Sequence, residues 1–176
     1  MSSGLPTREQ AIELLHKKNC PPQVIIHCIA VTDLAMETAN KLQKKGLKIN
    51  TQLVEAGALL HDLGRSMNQT VKHALIGAQI AQYKGLSEPV IKIIKRHVGA
   101  GITAEEAQVM GWPKDSYTPQ TLEEKIVSYA DKLIDQSKRV PIETEIERLQ
   151  KENKNEAAER VRKLNKEITS LLGNQQ

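Results

Sequence analysis

Imidazole and carboxylate side chains recur in this sequence where a globular protein ordinarily places aliphatic ones. His61 and Asp62 stand side by side at the end of QLVEAGALLHDLGR (52–65), where Val54, Gly57, Ala58 and His61 follow the i, i+3, i+4, i+7 spacing of one helical face. A carboxylate beside an imidazole at a half-buried helix end must be paired, hydrogen-bonded or bound to a cation, because an isolated buried charge is strongly disfavoured. A metal ion satisfies both side chains at once.

The same anomaly repeats along the chain. His27 shares a stripe with Val24, Val31 and Leu34; His73 with Ile76, Gly77 and Ile80; His97 with Val90, Ile93 and Ile94; Asp131 with Val127, Ala130 and Ile134. A lone inward histidine is more often a hydrogen-bonded core residue than a ligand, and a lone inward aspartate usually caps or pairs. Here four of the chain's five histidines fall on the pattern, together with Asp131 and the adjacent Asp62, one ligand-type residue to a helix stripe. His16 lies outside the pattern and is read as structural or surface. Nitrogen and oxygen ligands without thiolate suit Fe, Mn, Zn, Co or Ni. His27, His61, Asp62, His73, His97 and Asp131 exceed what one tetrahedral structural zinc needs, and imply two divalent ions.

Helices must position these groups. Thr7-Arg-Glu-Gln10, Thr103-Ala-Glu-Glu106 and Thr121-Leu-Glu-Glu124 are capping-box patterns, and Asn50 and Ser87 are candidate caps for the helices that carry His61 and His97. Pro21 and Pro22 precede a long helix expected to reach Lys45, with His27 on its inward stripe. The helix of His73 is expected over about 71–83, and Gly64 is expected to supply the left-handed stop after Asp62. Trp112 to Pro119 reads as loop and as a candidate determinant of substrate. Beyond Pro141, Ile142, Ile146 and Leu149, then Val161, Leu164, Ile168 and Leu171, flank the polar run KENKNE, which predicts a long charged helix or a helical pair. No strand alternation stands out, so the expected class is all-α.

At 176 residues, with 39% hydrophobic, 26% charged and only 2% aromatic residues, the chain is expected to form one helical domain with an aliphatic core. Residues 1–140 are its expected body, with a motif core at 23–136, and 141–176 a helical extension. Cys20 and Cys28 lack metal-pair spacing and read as free thiols, and with no spanning apolar run or leader the expected location is cytoplasmic, away from any membrane. A net charge of +4 from 25 basic and 21 acidic residues is a mixed surface, which specifies no nucleic-acid partner.

The ordered set His27, His61-Asp62, Asp131 resembles the H…HD…D signature of the HD-domain metal-dependent phosphohydrolases, and the resemblance spans about 23–136. Its implied fold is an HD-domain-like helical bundle. His73 and His97 resemble the additional ligands of the branch with two metals. That branch implies a first ion among His27, His61, Asp62 and Asp131, and Asp62 bridging to a second held also by His73 and His97. HALIGAQIA, IKRH and LEEKIVSYADKL look like the bacterial HD-type hydrolases that cleave dinucleoside tetraphosphates. The HD-GYP phosphodiesterases are similar more distantly, and their GYP element is lacking here. Many dinuclear members carry Lys shortly after the doublet where this chain has Arg65, which keeps the charge and offers phosphate a planar fork.

What the resemblance implies is hydrolysis of a nucleotide or related phosphate ester or anhydride by a metal-activated water, iron being the leading metal. Asp62 orients the water, and Arg65 neutralises phosphate charge as a catalytic and phosphate-binding group, with Arg96 and Lys132 as further phosphate contacts. Two alternatives stand beside it: a di-iron HD-domain oxygenase, and a non-catalytic module that binds a nucleotide. The broken apolar stripe of the tail allows a homodimer, though a helix folded back on the domain is the simpler expectation.

Overall fold

The computed structural model describes residues 4–173; residues 1–3 and 174–176, the outer ends of the two expected segments, lie outside it. Nine α-helices supply most of the regular structure among the described residues: α1 (Arg8–Lys17), α2 (Pro22–Lys44), α3 (Thr51–Leu60), α4 (His73–Tyr83), α5 (Glu88–Arg96), α6 (Ala104–Val109), α7 (Leu122–Lys132), α8 (Ile142–Lys151) and α9 (Asn155–Leu172). The fold is all-α, as the patterning predicts.

Local chemistry sets the helix starts. Thr7 and Thr103 close full capping boxes with Gln10 and Glu106, Pro22 opens α2 in its first turn, and the Asn50 side chain accepts from the Leu53 amide. The Ser87 hydroxyl does not cap α5.

α3 buries Leu53, Val54 and residues 56–60, because it runs between α1, α2, α5 and α7, and only its first turns keep polar groups outward, Gln52 exposed and Glu55 paired with Arg8. Gly57 lets α5 come close: a Cβ there would stand 2.4 Å from Ile93 Cδ1. Each fully buried Leu or Ile in this aliphatic core contributes about 1.5–3 kcal/mol. The close crossing of α3 and α5 brings together their C-terminal ends, where His61 and His97 sit.

Two expectations need correction. Gly64 is not a left-handed stop. α3 ends at Leu60, a 3-10 turn covers Leu63–Ser66, and Gly64 makes room for α4, since a Cβ there would meet His73 O at 1.9 Å. Ile134 does not continue α7 but begins a small antiparallel hairpin, β1 (Ile134–Asp135) with β2 (Lys138–Arg139), too short to show alternation in sequence. Trp112 and Tyr117 lie in loop as expected, and stack edge to face at 5.1 Å in a satellite core with Ile102 and Ala107. The tail is a helical pair, and α9 folds back on α2, α7 and the 98–100 segment with Val161, Leu164 and Ile168 buried.

Candidate metal centre

One hydrogen-bonding device orients all four patterned histidines. The Nδ1 atoms of His61, His73 and His97 each lie 2.7 Å from a carbonyl oxygen three residues earlier, of Ala58, Thr70 and Ile94 respectively, and His27 Nδ1 lies 2.8 Å from Gln136 O. A carbonyl can only accept, so each Nδ1 carries the hydrogen, and a neutral ring then presents its lone pair at Nε2. For His61 and His97, the caps of α3 and α5, the bond also satisfies a carbonyl of the last helical turn. Gln136 belongs to the β1–β2 turn, so the unforeseen hairpin has a use: it fixes the ring of His27.

The four Nε2 atoms converge on two carboxylates. Asp131 Oδ1 stands 3.0 Å from His27 Nε2 and 3.3 Å from His61 Nε2. Asp62 faces two ways. Its Oδ2 lies 3.7 Å from His61 Nε2 and 4.0 Å from His27 Nε2, while Oδ1 lies 2.9 Å from His73 Nε2 and 3.5 Å from His97 Nε2. One carboxylate thus has an oxygen toward each histidine pair. His27, His61 and Asp131, and separately His61, Asp62 and His97, are grouped tightly enough to hold an ion.

Two features call for a cation. His61 Nε2 is buried without a hydrogen-bond partner among the described residues, and the Nε2 atoms of His73 and His97 face each other at 3.1 Å. Two lone pairs at that distance repel unless a cation or proton lies between them. The donor set therefore fits divalent metal, and the carbonyl-bound Nδ1 groups are the outer hydrogen bonds that metal-binding histidines use to fix their tautomer.

Charge acts in the same direction. Burial disfavours a charged His61, yet the field of Asp62 and the contact with Asp131 outweigh it and hold the imidazole well above its usual range. Burial also opposes ionised Asp62 and Asp131. For Asp62 the charge of His61 prevails first, with the close approach of His73 and His97 adding to it; for Asp131 Lys132 does so first, then His27 and His61, and both carboxyls stay well below the usual range. Burial drives His97 down to about 4, so its ring is neutral at neutral pH. It also pushes the Cys20 thiol up to about 11 and Cys28 upward, so both free cysteines remain thiols.

The cluster lies at the wall of a cavity of about 980 Å³ that exposes His27, Asp62, His73, His97 and Asp131. Arg65 reaches it with Nε 2.7 Å from Asp62 Oδ2, and Lys132 reaches it with Nζ on Asp131 Oδ2. Arg96 does not. It is buried in an ion pair with both oxygens of Glu124 at 3.0 Å and donates to Ser116 O, so neighbouring positions on one helix diverge: His97 turns to the cavity and Arg96 to the satellite core. No residue of 112–119 lines the cavity either, because the segment packs its rings behind the wall instead.

The far wall was not legible in the sequence. α8 contributes Arg148, the connection after it Lys154, and α9 Arg160, with Arg148 held by Glu145 through Nε and Nη2 at 2.8 Å each. Arg160 donates to Gly101 O and to Glu106, tying α9 to α6. The available signal was its place between Ala157 and Leu164 on the apolar arc of α9.

The model of the HD domain matches residues 24–134, a span that contains all four converging histidines and both aspartates. The chain belongs to the HD-domain family. Among relatives of this HD-domain chain, an uncharacterized protein of Methanocaldococcus jannaschii is 43% identical over 166 residues, covering 93% of this chain and 98% of the relative. A tRNA (cytidine(56)-2′-O)-methyltransferase of Picrophilus torridus is 36% identical over 169 residues, 96% of this chain; the chain spans about half, 48%, of that relative's length. The HD domain of the phosphodiesterase PgpH of L. monocytogenes, solved with cyclic-di-AMP, superposes with a TM-score of 0.57 at 19% identity, covering 94% of this chain and 98% of that one. At that identity the likeness is one of fold.

Proposed function

We propose that this HD-domain protein is a metal-dependent phosphohydrolase that cleaves a nucleotide-type phosphate ester or anhydride at a dinuclear site. One observation carries the reading: Asp62 directs Oδ2 toward His27 and His61 and Oδ1 toward His73 and His97, at the wall of a cavity that also presents Arg65 and Lys132. His27, His61, Asp62 and Asp131 would hold one ion, and Asp62, His73 and His97 the other.

Divalent ions so bound supply acidified water and neutralise phosphoryl oxygens. The chain's own groups do the rest. Asp62, kept ionised by its histidines, accepts a hydrogen bond from the attacking water and orients it. Arg65 and Lys132 supply fixed positive charge against the non-bridging oxygens, in a partly water-excluded site where such charge strengthens its hold as the transition state develops. Arg148 and Lys154 extend the basic surface across the cavity, and about 980 Å³ stands at the upper end of small-ligand sites. Because a related segment occurs in a protein that methylates tRNA, short RNA with a terminal phosphate ester belongs among the candidates beside free nucleotides.

The test is hydrolysis of mononucleotides, dinucleoside polyphosphates, cyclic dinucleotides and short RNA oligonucleotides by protein purified anaerobically and supplied with iron or manganese. Phosphate or nucleotide release that disappears in Asp62→Ala supports the reading. Oxygen consumption without phosphoryl release would replace it with oxygenase chemistry.

A further inference from the structure

Toward α8 and the end of α7 the cavity wall carries Lys132 and Arg148 beside Ile134 and Leu149, while toward α6 it carries Ile102, Val109 and Met110 beside Glu105 and Glu106. Val109 is 89% exposed and Met110 40% exposed, an unusual cost for large apolar side chains on a short, firmly held helix. That helix is held from three sides. The Thr103–Glu106 capping box closes its start, Arg160 grips Glu106 and the Gly101 carbonyl, and the Trp112–Tyr117 pair supports it from behind.

We propose that Val109 and Met110 form the subsite for the nucleobase of the ligand whose phosphate lies at the metal centre. The subsite presupposes the phosphate-binding reading of that centre. A second phosphate does not suit this end of the cavity, because Glu105 on the same helix faces it with negative charge and Glu106 is already neutralised by Arg160. A base suits it: flat faces cover the exposed methyl groups, and exocyclic N–H groups have the Glu105 carboxylate as an acceptor. His73, His97 and Val109 line one and the same cavity, which gives a single ligand access to both the metal centre and this wall.

The experiment reads base contact, not turnover. The full chain, carrying ¹³C-methyl methionine and supplied with zinc, is titrated with adenosine 5′-monophosphate and separately with ribose 5-phosphate, with Met110→Leu to assign the signal. The expected result is an upfield ring-current shift of the Met110 methyl with the nucleotide alone, while Met36 and Met67 stay in place. Val109→Glu, a change at an exposed position, is expected to weaken nucleotide binding about tenfold and leave ribose 5-phosphate binding unchanged. A Met110 methyl that ignores saturating nucleotide, moves equally with ribose 5-phosphate, or shifts only with protein concentration overturns the subsite, as does the absence of nucleotide binding. Met110 shifts without hydrolysis of any compound would instead overturn the hydrolase reading and leave the subsite standing.

Discussion

His73 and His97 meet through their Nε2 atoms at 3.1 Å while each Nδ1 hydrogen is held by a carbonyl, so the fold presses two lone pairs together. Metal should relieve this. At a hundredfold excess over Kd, binding stabilises by about 2.7 kcal/mol, or about 5–11 °C in Tm for a chain of this length. Calorimetry with zinc or manganese, before and after chelation, should show that gain in the native protein and less than about half of it in His73→Ala and His97→Ala. An equal gain in all three proteins would remove both histidines from the site.

Acid should destabilise the metal-free protein partly through His97. Its folded pKa, about 4, lies below the unfolded value of 6.5, so the unfolded chain takes up the proton first. The neutral ring's contribution is fully present above 6.5 and is lost as the pH falls toward about 4. His61 has the opposite sign, contributing below 6.5 and losing that contribution as the pH rises through its raised value. Urea unfolding between pH 6.5 and 4 should therefore decline less steeply in His97→Gln than in the native protein; parallel slopes would contradict the assignment.

Arg96 should matter for stability and not for substrate. Removing one partner of a buried ion pair costs about 3–5 kcal/mol, so Arg96→Ala should unfold at markedly lower denaturant while KM, measured below its transition, stays unchanged. Arg65→Ala should show the reverse pattern, with lowered kcat/KM and near-native stability. A raised KM in Arg96→Ala would restore it to the cavity.

Gly64→Ala should be among the most damaging small changes, because the added methyl would overlap His73 O, 1.9 Å away. A loss of about 3 kcal/mol or more, with weakened metal binding through displaced His73, is expected from denaturant titration and metal analysis. Gly46, with φ +91 and open space where a Cβ would go, is the control, and Ala there should cost only the backbone strain of about 1–2 kcal/mol with metal binding unchanged.

The candidate centre was legible because its members break an otherwise aliphatic helical pattern, and a periodicity of 3.6 residues reveals such breaks one helix at a time. His27, His61, His73, His97 and Asp131 each announce themselves that way. Contacts between distant segments leave no such trace. The Gln136 carbonyl that fixes His27 comes from a hairpin of two-residue strands, and Arg96 looks as available as His97 until Glu124, 28 positions away, is seen to hold it. Gly64 read as a helix stop because a glycine needed for close approach and one needed for left-handed backbone look alike in sequence. The α6 and α8–α9 walls depend on tertiary packing alone.

If Asp62 joins two metal sites, the metal stoichiometry of the protein must depend on it. Protein purified without oxygen, loaded with manganese and freed of excess ion, should contain two ions per chain by elemental analysis. Asp62→Ala should hold no more than one and should lose phosphoryl hydrolysis, with its helical circular dichroism unchanged. Two ions and full hydrolysis in Asp62→Ala would contradict the account.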